Sequence, residues 1–314
     1  MIVKAPVNCV RAAELQYRYG AKEVYLGLSS DAFNSLSFTG RGNIKIDKKT
    51  TSNITSVDDL KKIISICHEN GTSVSVAANC PSLPDTVKDA YVEYVNGVID
   101  CGVDSIIVGD IASLLIIKEN VKKKVKVVSS VFLDVFNQGG IEMLKELGVQ
   151  EVILPHHVTM QEIEQVCNLG VDIGLFANYS CSFNNGRCTM VHRWGEKMDL
   201  GIPCRGCYSV KNNNSQEVFN GNFLDFGEDC CLCTLKKLMD IGICSIKMID
   251  RAVPVEQSLP FTIVYAKAIE MFENGAELED VKRMAYSAVP WWEEQFCKEG
   301  RCRYMKNNYT EFYV

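Results

Sequence analysis

Seven of the chain's 15 cysteines fall in one stretch: Cys181, Cys188, Cys204, Cys207, Cys230, Cys231 and Cys233. The residues around them are rich in Asn, Gly and Ser, which do not build a core. Thiolates are soft ligands, and a thiolate-only set suits zinc or an iron–sulfur cluster. Zinc fingers use two close pairs. Here Cys181 and Cys188 are spaced C-x6-C, and only Cys204 and Cys207 form a C-x2-C pair. That spacing favours an iron–sulfur cluster, with zinc and a metal-free loop as alternatives. Cys9, Cys67, Cys101, Cys167 and Cys244 sit on apolar faces of expected helices or strands, where a free thiol behaves as a small hydrophobe. Cys297 and Cys302 flank a Lys-Glu-Gly-Arg turn and read either as a second metal pair or as two surface thiols.

Other residues could do chemistry near the same place. His156 and His157 follow an expected strand, and a histidine there can serve as acid or base near neutral pH. Adjacent side chains diverge, so one of the two is expected to face inward; both being structural is the alternative. Arg187, Arg193, Lys197, Arg205 and Lys211 outnumber Glu196 and Asp199 in their segment. Guanidinium forks bind carboxylates and phosphates, and they can equally offset a negatively charged thiolate cluster. Lys247 and Arg251 end a later strand. Trp291-Trp292 could stack on a ring or base, although such a pair more often belongs to a core or interface.

The elements that must position these residues repeat. Expected strands are Ile2–Ala5, Glu23–Leu28, Ser73–Ala77, Ser105–Val108, Lys126–Ser130, Glu151–Leu154 and Asp172–Phe176, all short and rich in Val and Ile. Amphipathic helical patterns lie between them: Val10–Tyr19, Val57–Asn70, Asp85–Cys101, Ile111–Asn120, Gly140–Leu147 and Met160–Cys167. Most stop at a glycine (Gly20, Gly71, Gly102, Gly148, Gly170), as a left-handed helix cap requires. Repeated strand–helix–glycine units predict parallel strands with helical crossovers. An eighth strand, Cys244–Met248, follows the helix Thr234–Ile241, so the expectation is an α/β fold, a TIM-like (β/α)8 barrel. An open doubly wound sheet is the alternative, but no Gly-x-Gly-x-x-Gly follows the first strand. The cysteine-rich segment 177–233 is then the loop after strand seven, on the face where such barrels place their active sites. It far exceeds the ~12–15 residues of an ordinary loop. The expected organisation is one barrel domain over 1–314, a cluster-binding insertion at 177–233 and a helical extension at 254–314.

With 33 basic and 39 acidic residues the net charge is −6, which argues against a general nucleic-acid binder. No apolar run reaches the roughly 18 residues a membrane span needs. Met-Ile-Val-Lys-Ala-Pro reads as a strand start and not as a signal peptide, so a cytoplasmic protein with no membrane partner is expected.

Dispersed motifs carry a resemblance that covers nearly the whole chain. Ala5-Pro6-Val7 with Gly20-Ala21-Lys22-Glu23-Val24-Tyr25-Leu26-Gly27 looks like an opening "APAG…GADAVYLG". Cys181 to Cys188, with Gly186-Arg187 before the second thiol, looks like "C-x4-G-x-C". Cys230-Cys231 matches a "DLC" element, and Ser245 to Arg251 looks like "SLKIEGR". The sequence resembles the collagenase-like peptidase family, peptidase family U-32. That resemblance implies a TIM-like barrel holding a [4Fe-4S] cluster. Its characterised members look like oxygen-independent hydroxylases of ubiquinone or of RNA pyrimidines, with prephenate as the implied oxygen donor. It implies Cys181, Cys188 and Cys204 as three ligands; the fourth is Cys230, Cys207 or Cys233, in that order of preference. It implies a small-molecule or RNA-base substrate, an anionic prephenate-like donor and, in some cases, a paired family member; the guanidinium forks of Arg187, Arg205 and Arg251 could hold such a donor. Three departures stand out. His156-His157 replaces the family's "RE", Phe132 stands where "STQ" has Gln, and Ile249 stands where "KIEGR" has Glu. A U-32-type peptidase and a non-catalytic iron–sulfur subunit are the competing functions. No Gly-x-Ser-x-Gly and no His-Glu-x-x-His supports a peptidase.

Overall fold

Short β-branched runs cut off by polar turns become strands, and each following amphipathic run becomes the helix that covers them. The computed structural model describes residues 1–29, 52–80, 83–178, 207–221, 228–249 and 253–305. Cys181, Cys188, Cys204, Arg187, Arg193, Lys197, Arg205 and Arg251 lie outside the described residues.

The strands β1 (Ile2–Pro6), β2 (Glu23–Leu26), β3 (Ser73–Ala78), β4 (Ser105–Val108), β5 (Lys126–Ser129), β6 (Glu151–Ile153) and β7 (Asp172–Phe176) run in sequence order. The hairpin β8 (Tyr208–Lys211) and β9 (Glu217–Gly221) follows, then β10 (Ser245–Lys247). All strands except the hairpin pair in parallel and close into an eight-stranded barrel, in which β10 joins β7 to β1. The covering helices are α1 (Val10–Arg18), α2 (Val57–Glu69), α3 (Lys88–Asp100), α4 (Ile111–Asn120), α5 (Gln138–Glu146), α6 (Met160–Val166) and α7 (Leu232–Asp240). The glycines expected to stop helices do so with positive φ, from +65° at Gly71 to +102° at Gly20. The C-terminal extension forms α8 (Val255–Glu273), packed on β1 and α1, then α9 (Leu278–Ala288) and a π-helical turn, Glu293–Lys298. Among the described residues no helix is long and apolar enough to cross a membrane.

Cys67 is fully buried, as expected. Cys9 packs partly buried against the core, as expected, and its thiol also caps the N-terminus of α1, accepting a hydrogen bond from the Ala12 N–H at 3.4 Å. The tryptophan pair divides. Trp292 is buried among Phe261, Tyr265 and Phe296, whereas Trp291 is 40% exposed.

Closure gives every strand two buried faces. Outward residues such as Val3, Val24, Val76, Ile106 and Leu175 pack under the helices. Inward residues form two layers. The lower layer is polar: Lys4 bridges Glu23 at 2.9 Å and Glu151 at 2.6 Å, and Lys126 reaches Glu151 at 2.9 Å. Ser245 donates to Glu151, and Ser75 joins Glu23 to Ser105. A β-carbon at Gly174 would stand 2.5 Å from Ser245 Oγ and 3.0 Å from Glu151 Oε1, so this network needs glycine there. The upper layer is apolar, with Tyr25, Ile107, Val128, Ile153 and Phe176 under Ile249.

Candidate functional site

The site lies above the apolar layer, at the C-terminal ends of the strands. Phe176 ends β7, and its ring is the floor on which His156 stacks, centroid to centroid 4.3 Å with planes 6° apart. His156 is half-buried, while His157 is exposed and meets the Phe136 ring edge-on at 4.8 Å. Of the two histidines, His156 therefore stands over the lumen.

A residue that sequence reasoning did not single out holds His156. Arg303 comes from the chain's C-terminal segment, and its guanidinium is nearly fully buried. It donates to the His156 carbonyl at 3.2 Å and to Asp229 Oδ1 at 3.1 Å, and it stands 3.4–3.5 Å from His156 Nδ1. A guanidinium can only donate, so Nδ1 is the acceptor and the ring proton belongs on Nε2. This presents a neutral imidazole with an N–H donor on its other nitrogen. The signal missing from the sequence was distance: His156 and Arg303 are 147 residues apart.

Lys247, at the end of β10, is buried with Nζ 4.1 Å from the Tyr25 ring centroid, a cation–π placement. The Tyr25 hydroxyl donates to Met248 O at 2.6 Å, which fixes the ring. A cation is thus set into the upper layer of the lumen.

The two roots of the long loop are tied together beside this mouth. Asn178 receives Ile249 N–H at 2.7 Å and donates to Ile249 O, and its own carbonyl accepts from Asp229 N–H. Next to Asp229 stand Cys230 and Cys231, both buried. Tyr265 on α8 donates to Ala177 O at 2.9 Å, accepts from Cys231 N–H at 2.9 Å and lies 3.6 Å from Cys230 Sγ. The Leu232 N–H also points at Cys230 Sγ, at 3.3 Å. Burial pushes both thiols up, Cys231 to about 12, so neither is a thiolate on its own. A metal inverts that preference, because ligation replaces the proton. The buried Cys230 sulfur, which receives the Leu232 N–H, has the kind of backbone donor that a metal-bound thiolate takes.

The fourth-ligand candidates are placed differently. Cys230 sits at the loop root among these donors. Cys207 is exposed at the foot of the β8–β9 hairpin, 3.0 Å from Asn220 Oδ1. Cys233, in the first turn of α7, is half-buried. Cys231 shares the Cys230 environment and adds a candidate that the sequence motif alone did not separate from it.

A second group of ligand-type atoms lies at the opposite, N-terminal end of the barrel, where Glu151, Asp172 and Cys244 bring one atom each within 4.8 Å of one another. Lys126 already bridges both carboxylates, at 2.9 and 3.2 Å, and occupies the position a cation would take.

Comparison with known proteins assigns the sequence to a family. No curated protein matches the sequence. Among solved structures, the U32 peptidase Mk0906 is similar with a TM-score of 0.49 and 11% identity, over 80% of this chain and 93% of that one. An octameric ribulose-1,5-bisphosphate carboxylase/oxygenase from Pyrococcus horikoshii OT3 gives a TM-score of 0.51 and 8% identity, over 95% of this chain and 64% of that one, a likeness of barrel fold alone. The model of peptidase family U32 matches residues 8–307. The chain belongs to peptidase family U32.

Proposed function

We propose that this chain is an iron–sulfur enzyme that carries out oxygen-independent hydroxylation, or a related oxygen-transfer or redox reaction, on an aromatic or heterocyclic substrate. The observation that carries this reading is the convergence at one barrel mouth of the buried thiols Cys230 and Cys231, the oriented His156 and the buried cation of Lys247. Cys181, Cys188 and Cys204 would hold a [4Fe-4S] cluster with Cys230 as the fourth ligand, and the cluster would supply electron transfer or positioning. The protein's own groups would do the rest. The flat face of His156 on Phe176 offers a stacking surface for a planar ring. Its Nε2–H can donate a hydrogen bond or proton to a substrate oxygen, with the Arg303 donors at Nδ1 disfavouring the tautomer that carries the proton there. Lys247, with Arg187, Arg205 and Arg251, would attract an anionic donor of the prephenate type. A family member acting as a paired subunit, and RNA as the source of the ring, belong to the same proposal.

The test has two stages. Anaerobically prepared protein should hold about four iron and four sulfide per chain. Cys181→Ala, Cys188→Ala and Cys204→Ala should each lose them, and Cys67→Ala should not; a preparation with no sulfide overturns the cluster. Extracts of anaerobic cells with and without the protein are then compared by mass spectrometry of small molecules and of RNA nucleosides. A product that gains or loses oxygen supports the proposal. Cleavage of peptides or denatured collagen with no such product establishes the peptidase reading instead.

A further inference from the structure

The barrel lumen sets its lysines in two different surroundings. In the lower layer Lys4 and Lys126 are held by the carboxylates of Glu23, Glu151 and Asp172. Ser245 on β10 points into that layer, and the alternation of the strand brings Lys247 inward again one layer up. There Lys247 is in register with Phe176 on β7, and that level of the lumen is built from Tyr25, Ile107, Val128, Ile153 and Phe176, with Ile249 above them. Lys247 is only 8% exposed. Its Nζ lies 4.1 Å from the Tyr25 ring centroid, and the Tyr25 hydroxyl, donating to Met248 O at 2.6 Å, fixes the ring in that place. On the neighbouring strand the Phe176 ring carries the stacked imidazole of His156, whose proton the Arg303 contacts at Nδ1 put on Nε2. A buried primary amine thus stands at the C-terminal end of the barrel, beside aromatic faces and an oriented N–H donor.

We infer that Lys247 is a covalent binding site for a carbonyl compound, an α-keto acid, which it takes up as a Schiff base. The inference rests on the barrel mouth being the substrate site and needs no cluster. The lysine nitrogen forms a bond to the carbonyl carbon, the C–O bond breaks, and the oxygen leaves as water with two protons given up by the ammonium group. The product is an iminium, so the nitrogen carries one positive charge before and after, and the Tyr25 ring face stabilises both cations. No oxidant or reductant takes part. Apolar surroundings disfavour an ammonium ion, and the free amine is the form that attacks a carbonyl. Lys4 is as deeply buried but lies against two carboxylates, which favour its ammonium form and exclude it from this role. The surroundings also select the class of ligand. A buried iminium is costly unless a negative charge lies beside it, and a carboxylate one bond from the carbonyl carbon brings that charge within the ligand itself. The Nε2–H of His156, at the same mouth, is a donor suited to the carboxylate oxygens. The flat faces of Tyr25, Phe176 and His156 suit the planar keto-acid unit.

Reductive trapping on the intact wild-type chain tests this without any folding risk. The protein is incubated with pyruvate and cyanoborohydride, and the reduced adducts are located by peptide mass spectrometry. Lys247 should be labelled at least about tenfold faster than the exposed Lys62 and Lys236. With acetone, which has the carbonyl but no carboxylate, that preference should fall about tenfold, the effect of one charge-assisted hydrogen bond. Pyruvate labelling of Lys247 no faster than that of Lys62 overturns the site. An undiminished preference with acetone overturns the keto-acid assignment. The trapping needs no iron and should persist in Cys181→Ala, which removes a proposed cluster ligand, so failure of the cluster and failure of this site give different results.

Discussion

Glu151 is the keystone of the polar layer under the site, and its replacement by glutamine gives a quantity that can be worked out. Its carboxylate has no exposed side-chain surface and contacts both Lys4 and Lys126. Burial alone would push the carboxyl up, but the two ammonium groups overcome this and hold it at about 2. An unfolded glutamate titrates near about 4.3. At about 1.4 kcal/mol for each pH unit between the two, the ionised form contributes about 3 kcal/mol to folding. Because the folded value is depressed, that stability is fully present above about pH 4.3 and is lost as the pH falls through about 2. Glu151→Gln keeps the shape and the Ser245 contact but leaves Lys4 with Glu23 and Lys126 with Asp172 as their remaining partners. The variant should be less stable by about 3 kcal/mol at pH 7, or roughly 6 °C in Tm for a chain of this size. Urea unfolding of both proteins from pH 8 down to pH 3 measures it. The gap should be level down to about pH 5 and shrink below. A gap under about 1 kcal/mol at pH 7, or one that does not narrow in acid, refutes the reasoning.

Tyr265→Phe should cost about 1–3 kcal/mol, since it strands the buried Cys231 N–H and Ala177 O; urea unfolding checks this. Cys9→Ser should raise stability by a few tenths to about 1 kcal/mol, because a hydroxyl caps the α1 N-terminus better than a thiol; a lower Tm would count against the capping role. Cys230→Ala should lower the iron content of anaerobically prepared protein, whereas Cys207→Ala, at an exposed position on the hairpin, should leave it near the wild-type level. The opposite result would move the fourth ligand to Cys207.

The sequence by itself determined the local pieces. The expected barrel strands match the observed ones within a residue or two, because an alternating or fully apolar run of β-branched residues is a local signal. The helix stops were equally legible, since only glycine takes the left-handed cap cheaply. Counting those units gave a barrel of eight strands and put the cysteine-rich segment on its functional face. Tertiary structure decided what no local pattern encodes. Lys4, Glu23 and Glu151 read as ordinary polar positions in short strands, and only closure of the barrel turned them inward onto one another. It chose His156 over His157, because the ring that stacks on Phe176 is set by how β6 and β7 lie together. Arg303 and Tyr265 had no motif at all. Their importance comes from contacts with His156, 147 residues away, and with Ala177, 88 residues away. A hydrogen bond is specified by where two backbones end up in space, and separations of that length leave no periodicity in the chain to announce it.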